Sequence, residues 1–314
     1  MDNLLVGNYG TGNLGDEALR EYFLTQFADV QWRVIAAHPL GKELPRLPMG
    51  IRSFLGLRWL KTVFAIRSAE NLVFGGGTLF TDIESVRACL LWGFHALIAR
   101  VWRTPYHLAF QGIGPFRTRA GERITRSVVR HAASISVRDY DSLARVQSWL
   151  KNNKVVQTFD PVFALLLEEK PRVCSQNVLV IIPRENSSSA FLEKAVSVVS
   201  QQSWAEVLIL SLKPDDRSEQ GVIRKLRSLI GERGIVLPIR TLQDLRTAVS
   251  RGSFVLSQRY HGALAALALR VPFEVIPQSD KDKLSLLPSF VGRVQECLAL
   301  VQKGQEALSQ RLRS

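Results

Sequence analysis

The sequence has little of what several protein classes need. Its three cysteines, Cys89, Cys174 and Cys297, are too far apart for a zinc site and are too few for a disulfide framework. The longest apolar run, Ala88 to Ala99, has 12 residues, whereas a membrane-spanning helix needs about 20. The first residues carry an acid where a signal peptide carries basic residues, so we expect a cytoplasmic protein with reduced thiols.

Positive charge is what the sequence has in excess. The 314 residues contain 41 Lys and Arg against 28 Asp and Glu, a formal net charge of +13 that is shared by both halves. Such an excess is typical of a protein with an acidic partner, which could be nucleic acid, an anionic membrane surface or an anionic substrate. The alternative is a soluble basic protein without such a partner. The sequence has no recognition helix, RNA-binding aromatic signature or zinc pattern, so we expect no nucleic-acid partner and no metal site.

Short apolar runs that end in glycine-rich loops alternate with helical stretches along the chain, which is typical of parallel βαβ units. The polar stretch 168–176 contains Pro171 and predicts a linker between domains 1–167 and 177–314. A helix is expected from Phe290 to Leu312, as part of the second domain and packing back across both by analogy with similar chains. We therefore predict an α/β protein with two doubly wound, Rossmann-like domains facing a cleft, and ligands at the carboxyl ends of the strands.

Two glycine-rich motifs follow predicted strands in the first domain. The stretch from Gly7 to Ala18 includes Gly12, Asn13 and Asp16, and Asp16 is expected to cap the next helix, whose N–H groups favour an anion. A tight turn without a ligand is the alternative. The loop expected from Gly75 to Asp82 includes Gly76 and Gly77, whose backbone N–H groups are suited to a close ligand contact.

Three further candidate residues of the first domain lie near the ends of predicted strands. Asp82 is interpreted either as a base facing the cleft or as the N-cap of the following helix. Gly112 belongs to the motif Gln111-Gly112-Ile113-Gly114-Pro115 at a predicted strand end and is predicted to bind substrate. Arg138 ends a strand, where its guanidinium either grips a carboxylate or phosphate or pairs with Asp139.

One motif stands out in the second domain. Arg259, Tyr260 and His261 lie between a predicted strand and an alanine-rich helix. Arg259 and His261 flank one side chain, so both are expected to reach a ligand at the helix N-terminus. His261 can also exchange protons near neutral pH, although a lone histidine is more often structural.

Taken in order, these motifs resemble the polysaccharide pyruvyl transferase family. The resemblance rests on Gly12–Ala18, Gly75–Asp82, Gly112–Pro115, Ser136–Asp139, Asp160–Phe163 and Arg259–Gly262. It implies a fold like the B-type glycosyltransferases and transfer of a pyruvyl group from phosphoenolpyruvate to a sugar of a cell-surface polysaccharide or its lipid-linked precursor, with no cofactor. A nucleotide-sugar-dependent glycosyltransferase of the same fold is the alternative.

The resemblance also implies site residues. Arg138, Arg259 and His261 would contact phosphoenolpyruvate, with Tyr260 beside them where the family usually has leucine. His261 is expected as proton donor or phosphate partner, and Asp82 as the base for a sugar hydroxyl. The segment from Ile182 to Glu185 resembles the family only loosely, so the acceptor side is less well defined by sequence.

The stretch from Ile51 to Arg67 interleaves basic and large apolar residues, and further arginines follow between Arg100 and Arg130. Such a pattern suits contact with an anionic bilayer at the inner face of the membrane, as a lipid-linked acceptor would need. A core-facing helix with solvated charges gives the same pattern.

Overall fold

The computed structural model describes residues 2–150, 155–168, 177–279 and 282–313. Contacts within the chain divide it into two units. The first contains Met1–Val162 together with Leu298–Ser314, and the second contains Phe163–Cys297.

The first unit is built on a parallel sheet, which has seven strands among the described residues, in the order β3-β2-β1-β4-β5-β6-β7. Its strands are β1 Asn3–Val6, β2 Trp32–Ala36, β3 Leu44–Pro45, β4 Leu72–Phe80, β5 Tyr106–Ile113, β6 Ser134–Val137 and β7 Val155–Gln157. Its helices are α1 Leu14–Gln26, α2 Ile51–Leu55, α3 Leu60–Ser68, α4 Val86–Val101, α5 Arg119–His131 and α6 Tyr140–Trp149. The reversal of strand order between β1 and β4 is the place where parallel α/β sheets bind ligands.

The second unit has a parallel sheet with five strands in its described part, in the order β10-β9-β8-β11-β12. Its strands are β8 Val178–Ile182, β9 Glu206–Ser211, β10 Gly234–Pro238, β11 Phe254–Ser257 and β12 Phe273–Val275. Its helices are α7 Val162–Leu166, α8 Ser189–Gln201, α9 Arg217–Ile230, α10 Leu242–Ser250 and α11 Tyr260–Ala268, followed by a 3-10 segment Lys283–Phe290. Strand β8 is buried along its whole length because helices cover both faces of a parallel sheet.

The glycine segment after Phe74 differs from its prediction as a loop, because strand β4 continues through it to Phe80. Gly75 pairs with Ala109 and Gly77 with Gln111 of β5, and the register then shifts before Phe80 pairs with Ile113. Positive φ angles at Gly76 and Gly77 produce this irregularity without ending the strand. The apolar residues Leu79 and Phe80 then return to the core.

The terminal helix α12 spans Val294–Leu312, and the part from Leu298 onward belongs to the first unit instead of the second. Tyr22 of α1 donates a hydrogen bond to Gln305 Oε1 at 3.3 Å. A Cβ atom at Gly304 would lie 2.5 Å from Cε1 of the buried Phe110, so the helix approaches β5 very closely. The predicted linker lies outside the described residues except for Glu168.

The two described cysteines, Cys89 and Cys297, are buried free thiols, and burial raises the pKa of Cys297 to about 11. Cys174 lies outside the described residues. In the described ranges no single helix is long and apolar enough to cross a bilayer, and the only pair that reaches this length, Lys283–Phe290 with α12, is bent by 120°.

Candidate active site

The loop after β1 folds back on itself before it begins α1. Asn13, not Asp16, is the N-cap of this helix, because its side chain accepts a hydrogen bond from Gly15 N at 3.0 Å. Gly12 is exposed and has a φ of 72°, which explains why glycine is needed there. The helix therefore begins two residues before Asp16, which lies in its first turn, so the prediction of Asp16 as the cap is wrong.

Asp16 occupies a confined position beside the glycine segment of β4. It accepts a hydrogen bond from Asn8 Nδ2 at 2.8 Å, and a Cβ atom at Gly77 would lie 3.5 Å from its Oδ1. Burial raises the pKa of Asp16 to about 6, although the hydrogen bond from Asn8 and the positive charge of Arg138 act in the opposite direction. This carboxyl group is thus able to gain and lose a proton near neutral pH.

The glycine segment is held in place by side chains that the sequence analysis did not single out. Gln111 is fully buried, and its Nε2 donates to Phe74 O and Gly76 O at 3.0 Å each. Tyr9 donates to Gly75 O at 2.7 Å and leaves no room for a side chain at Gly75. Gly112, predicted to bind substrate, is a buried residue within β5.

Arg138 follows β6 and is almost completely buried, with 9% of its surface exposed. It forms an ion pair with the buried Asp160 and donates to Thr78 Oγ1 at 2.9 Å. Asp139 caps α6 by accepting from Ser142 N at 2.8 Å. The ion pair fixes the guanidinium at the carboxyl ends of β4 and β6, the edge that was predicted for it.

Asp82 has a different environment from the one expected of a base. It is 3% exposed, and it accepts hydrogen bonds from the backbone N–H groups of Arg117, at 2.5 Å, and Thr118, at 2.8 Å, and from the Thr118 hydroxyl. Burial opposes its ionisation, but these hydrogen bonds prevail and lower the pKa of Asp82. The carboxylate fixes the segment before α5, whereas Ser85, not Asp82, caps α4.

In the second unit, Arg259 lies between β11 and α11 and is held by two carboxylates. It pairs with Glu219, which is fully buried, and with Glu185 Oε2 at 2.7 Å. Its Nε also donates to Pro183 O at 3.3 Å. Because both acids reach the same guanidinium, Arg259 is oriented before any ligand binds.

Glu185 contacts three cations, each of which follows one of the neighbouring strands β8, β9 and β11. Besides Arg259, it contacts Lys213 Nζ at 3.2 Å and Arg184 Nε at 3.8 Å. Burial opposes the ionisation of Glu185, but the charges of Arg259 and Lys213 outweigh it and lower its pKa. Three cations therefore surround one partly exposed carboxylate, and an incoming anion can compete with this carboxylate for them.

His261 lies in the first turn of α11, which has no side-chain cap among the described contacts. Its ring is in edge contact with that of Tyr260, with centroids 5.3 Å apart, and Tyr260 is half-buried. A Cβ atom at Gly262 would lie 2.8 Å from Ser257 Oγ, so glycine permits the close approach of α11 to β11. The helix begins at Tyr260.

The structure thus brings together Asp16, Gly77 and Arg138 in the first unit, and Arg259, Tyr260 and His261 in the second. Sequence reasoning missed their partners, namely Asn8, Thr78, Gln111, Glu185, Lys213 and Glu219. Asp160 was noted as part of a motif but without a role. Glu185 and Lys213 follow predicted strands, which is a usable signal, whereas nothing in the sequence distinguishes Glu219 from other acids in a first helical turn.

No group of three or more His, Cys, Asp or Glu residues that is able to hold a metal ion occurs in the part of the chain that the structure describes. The strand ends of the first unit carry the buried Arg138 and the protonatable carboxyl of Asp16, and those of the second unit carry the cations around Glu185 and the imidazole of His261. Each set is suited to an anionic ligand that exchanges protons.

A family model gives the first comparison with known proteins. The model described as polysaccharide pyruvyl transferase matches residues 13–280. This range contains every candidate residue named above except Gly12. Comparison with curated protein sequences finds no match.

Solved structures give the second comparison. The UDP-GlcNAc 2-epimerase of Methanocaldococcus jannaschii has a TM-score of 0.63 and 10% identity, covering 99% of each chain. Anabaena HepE, solved with UDP and glucose, has a TM-score of 0.59 and 11% identity, covering 99% of this chain and 96% of its own. At such identities the likeness concerns the fold, and it confirms the predicted class of two Rossmann-like domains of the B-type glycosyltransferase kind.

Proposed function

Because the chain belongs to the polysaccharide pyruvyl transferase family, we propose that it transfers a pyruvyl group from phosphoenolpyruvate to a sugar. The product is a pyruvate ketal on a cell-surface polysaccharide or its lipid-linked precursor, and inorganic phosphate is released. The observation that carries the proposal is the family match over residues 13–280, which includes the oriented cation Arg259 and the imidazole of His261.

The charge of the second unit supports an anionic donor. Phosphoenolpyruvate has a carboxylate and a phosphate, and Arg259 lies beside Lys213 and Arg184 around Glu185. The ligand would displace Glu185 from part of this cluster while Glu219 keeps the guanidinium in place. His261, at the open end of α11, would contact the same anion.

The reaction requires two proton transfers that balance. A proton adds to the methylene carbon of phosphoenolpyruvate, and a sugar hydroxyl attacks C2 and gives up its own proton. The C2–O bond to phosphate then breaks, and a second hydroxyl of the sugar attacks C2 and loses its proton. Of the two hydroxyl protons, one replaces the proton used on the methylene and the other leaves with phosphate.

Asp16 is better suited than Asp82 to accept a hydroxyl proton. A base that works near neutral pH needs a pKa close to that pH, and the pKa of Asp16 is raised to about 6 by burial. Asp82 has a lowered pKa and is committed to Arg117 and Thr118. We therefore assign the hydroxyl base to Asp16, keep His261 as proton donor or phosphate partner, and give Asp82 a positioning role in the fold.

A nucleotide-sugar glycosyltransferase remains the competing function, since Anabaena HepE was solved with UDP and glucose. Calorimetry with phosphoenolpyruvate and with a panel of nucleotide sugars distinguishes the two. Phosphoenolpyruvate is expected to bind selectively, and Arg259→Ala is expected to weaken its binding by about a hundred-fold because a charged hydrogen-bond partner is lost.

A second variant is needed because Arg259→Ala leaves Glu219 buried without its cation. His261→Gln keeps the ion pairs intact and is expected to bind phosphoenolpyruvate but to lose phosphate release with an acceptor. Selective binding of a nucleotide sugar by the wild type would replace the proposal with the glycosyltransferase.

A further inference from the structure

Most of the excess positive charge of the chain lies in one stretch. Residues 51–135 contain twelve Lys and Arg against four Asp and Glu, so they account for eight of the thirteen excess charges. One of the four acids, Asp82, is buried. The stretch includes α3, α4 and α5, and α4 packs against both of the others. The outer side of these three helices is therefore strongly cationic.

The same outer side exposes large apolar residues. Leu90, Leu97 and Val101 share one face of α4 and are 46%, 49% and 62% exposed. On α3, Phe64 is 60% exposed between the exposed cations Lys61 and Arg67. A helix on the surface of a soluble protein normally has polar residues at such positions. We call the outer side of α3, α4 and α5 the basic apolar face.

An apolar cavity and a tryptophan belong to this face. The cavity has a volume of about 540 Å³, and its lining includes Met49, Leu90, Leu97 and Arg100. Trp102 follows α4 and is 39% exposed, with the Arg67 guanidinium 4.7 Å from its ring centroid. Tryptophan paired with arginine suits the boundary between lipid headgroups and acyl chains.

We propose that the basic apolar face docks on an anionic phospholipid bilayer. Leu97, Val101 and Phe64 would enter the boundary of headgroups and acyl chains, while the surrounding cations contact lipid phosphates. A nucleic acid would pair with the cations but leave the apolar side chains in water. A second copy of the chain would place like charges opposite one another. An anionic bilayer can contact both the cations and the exposed apolar side chains of the basic apolar face.

The docking would also position the reaction. Five residues separate the end of β4 from the start of α4, and the face belongs to the same unit as Asp16 and Gly77. If the proposed function holds, the first unit would meet a lipid-linked acceptor at the membrane. The docking itself depends on neither donor nor acceptor, so its test is independent of pyruvyl transfer.

Vesicle co-sedimentation of the full chain tests the proposal. The wild type is expected to pellet with phosphatidylcholine vesicles that contain phosphatidylglycerol and to stay in solution with phosphatidylcholine alone. Lys61→Ala combined with Arg100→Ala and Arg123→Ala is expected to weaken binding about a hundred-fold, at about five-fold for each cation. Leu90→Ser with Leu97→Ser and Val101→Ser is expected to weaken it at least about ten-fold through lost apolar contact.

Helix α9 in the second unit provides a matched control. Its Arg224, Lys225 and Arg227 are exposed, and Leu229 is 49% exposed, the same fraction as Leu97. Arg224→Ala, Lys225→Ala, Arg227→Ala and Leu229→Ser together are expected to leave vesicle binding unchanged. All of these side chains are at the surface, so thermal melting is expected to be nearly the same for each variant.

Three results would overturn the proposal. The first is equal pelleting of the wild type with both vesicle types. The second is an equal loss of binding in the α9 control, which would mean that net charge alone is responsible. The third is a wild-type dimer in sedimentation velocity that the α4 leucine and valine changes dissociate without altering vesicle binding, which would assign the face to a second copy of the chain.

Discussion

At the scale of single residues, two aspartates that look alike in the sequence have opposite environments. Asp16 is partly buried beside Gly77 and accepts a hydrogen bond from the Asn8 amide, and its pKa is raised to about 6. Asp82 receives two backbone N–H groups and a hydroxyl, and its pKa is lowered. A raised pKa means that the ionised form costs stability, whereas a lowered pKa means that the ionised form contributes it.

These environments predict opposite effects of the same substitution. Asp16→Asn is expected to raise the free energy of unfolding by about 2 kcal/mol above pH 6, and the difference from wild type is expected to vanish below about pH 4. This follows because the burial of a charged Asp16 destabilises the wild type only at pH values at which Asp16 is ionised. Urea denaturation across this pH range measures it, and turnover at neutral pH is expected to fall at least about a hundred-fold.

Asp82→Asn serves as the paired comparison. It is expected to lower the free energy of unfolding by about 1–3 kcal/mol at neutral pH, since its hydrogen bonds are charge-assisted, and this loss shrinks as the pH falls through the low native pKa. If Asp16→Asn destabilised the protein and kept its turnover, the assignment of the hydroxyl base would be lost. The sequence placed both aspartates near strand ends but did not indicate which one is held by backbone donors.

At the scale of elements, the glycine segment of β4 is a place where the sequence pattern predicts the wrong local structure. Three consecutive glycines predict a loop, because glycine weakens strands. Pairing with β5 on one side and the Gln111 amide keep the segment in the sheet instead. Elements with a clear apolar pattern are easier to predict. The sequence predicts strands at 134–137, 178–182 and 254–257 and a helix at 242–250, and β6, β8, β11 and α10 have these bounds.

Two alanine substitutions in this segment are expected to differ in cost. Gly76→Ala and Gly77→Ala both incur the strain of a positive φ, about 1–2 kcal/mol. A Cβ atom at Gly76 would also lie 2.7 Å from Leu19 Cδ2, whereas at Gly77 the nearest atom is at 3.5 Å. Chemical denaturation should therefore rank Gly76→Ala as the more destabilising by about 1 kcal/mol or more. Equal costs would indicate that Leu19 moves aside freely.

At the scale of the whole molecule, the sequence predicted two Rossmann-like domains but assigned the end of the chain to the second one, whereas from Leu298 onward it belongs to the first. Alternating strands and helices repeat in both halves, and this repetition carries the fold class. The apolar period of α12 indicates a buried face but does not name its neighbours. Val301 and Leu308 on that face are buried, and contacts from Leu298 onward belong to the first unit.

The substitution Gly304→Ala tests this placement, because helix propensity and close packing predict stability changes of opposite sign. Helix propensity alone predicts that Gly304→Ala stabilises the protein by about 1 kcal/mol. We expect destabilisation of about 1–3 kcal/mol, since the new Cβ would lie 2.5 Å from Phe110 Cε1 and 2.6 Å from Thr158 Cγ2. Gln302→Ala, at an exposed position of the same helix, is expected to change stability by less than about 0.5 kcal/mol. A stabilised Gly304→Ala would mean that α12 does not lie this close to β5 in solution.

The return of the chain to its first unit has a consequence for biosynthesis. The second unit is one continuous stretch, Phe163–Cys297, and is complete before translation ends. The first unit, although most of it is synthesised first, lacks its share of α12 until Leu298–Ser314 has been synthesised. Domains are usually completed in order from the amino terminus. Here the second unit is completed before the first. During that interval the nascent first unit exposes the part of β5 around Phe110 that α12 covers in the finished protein.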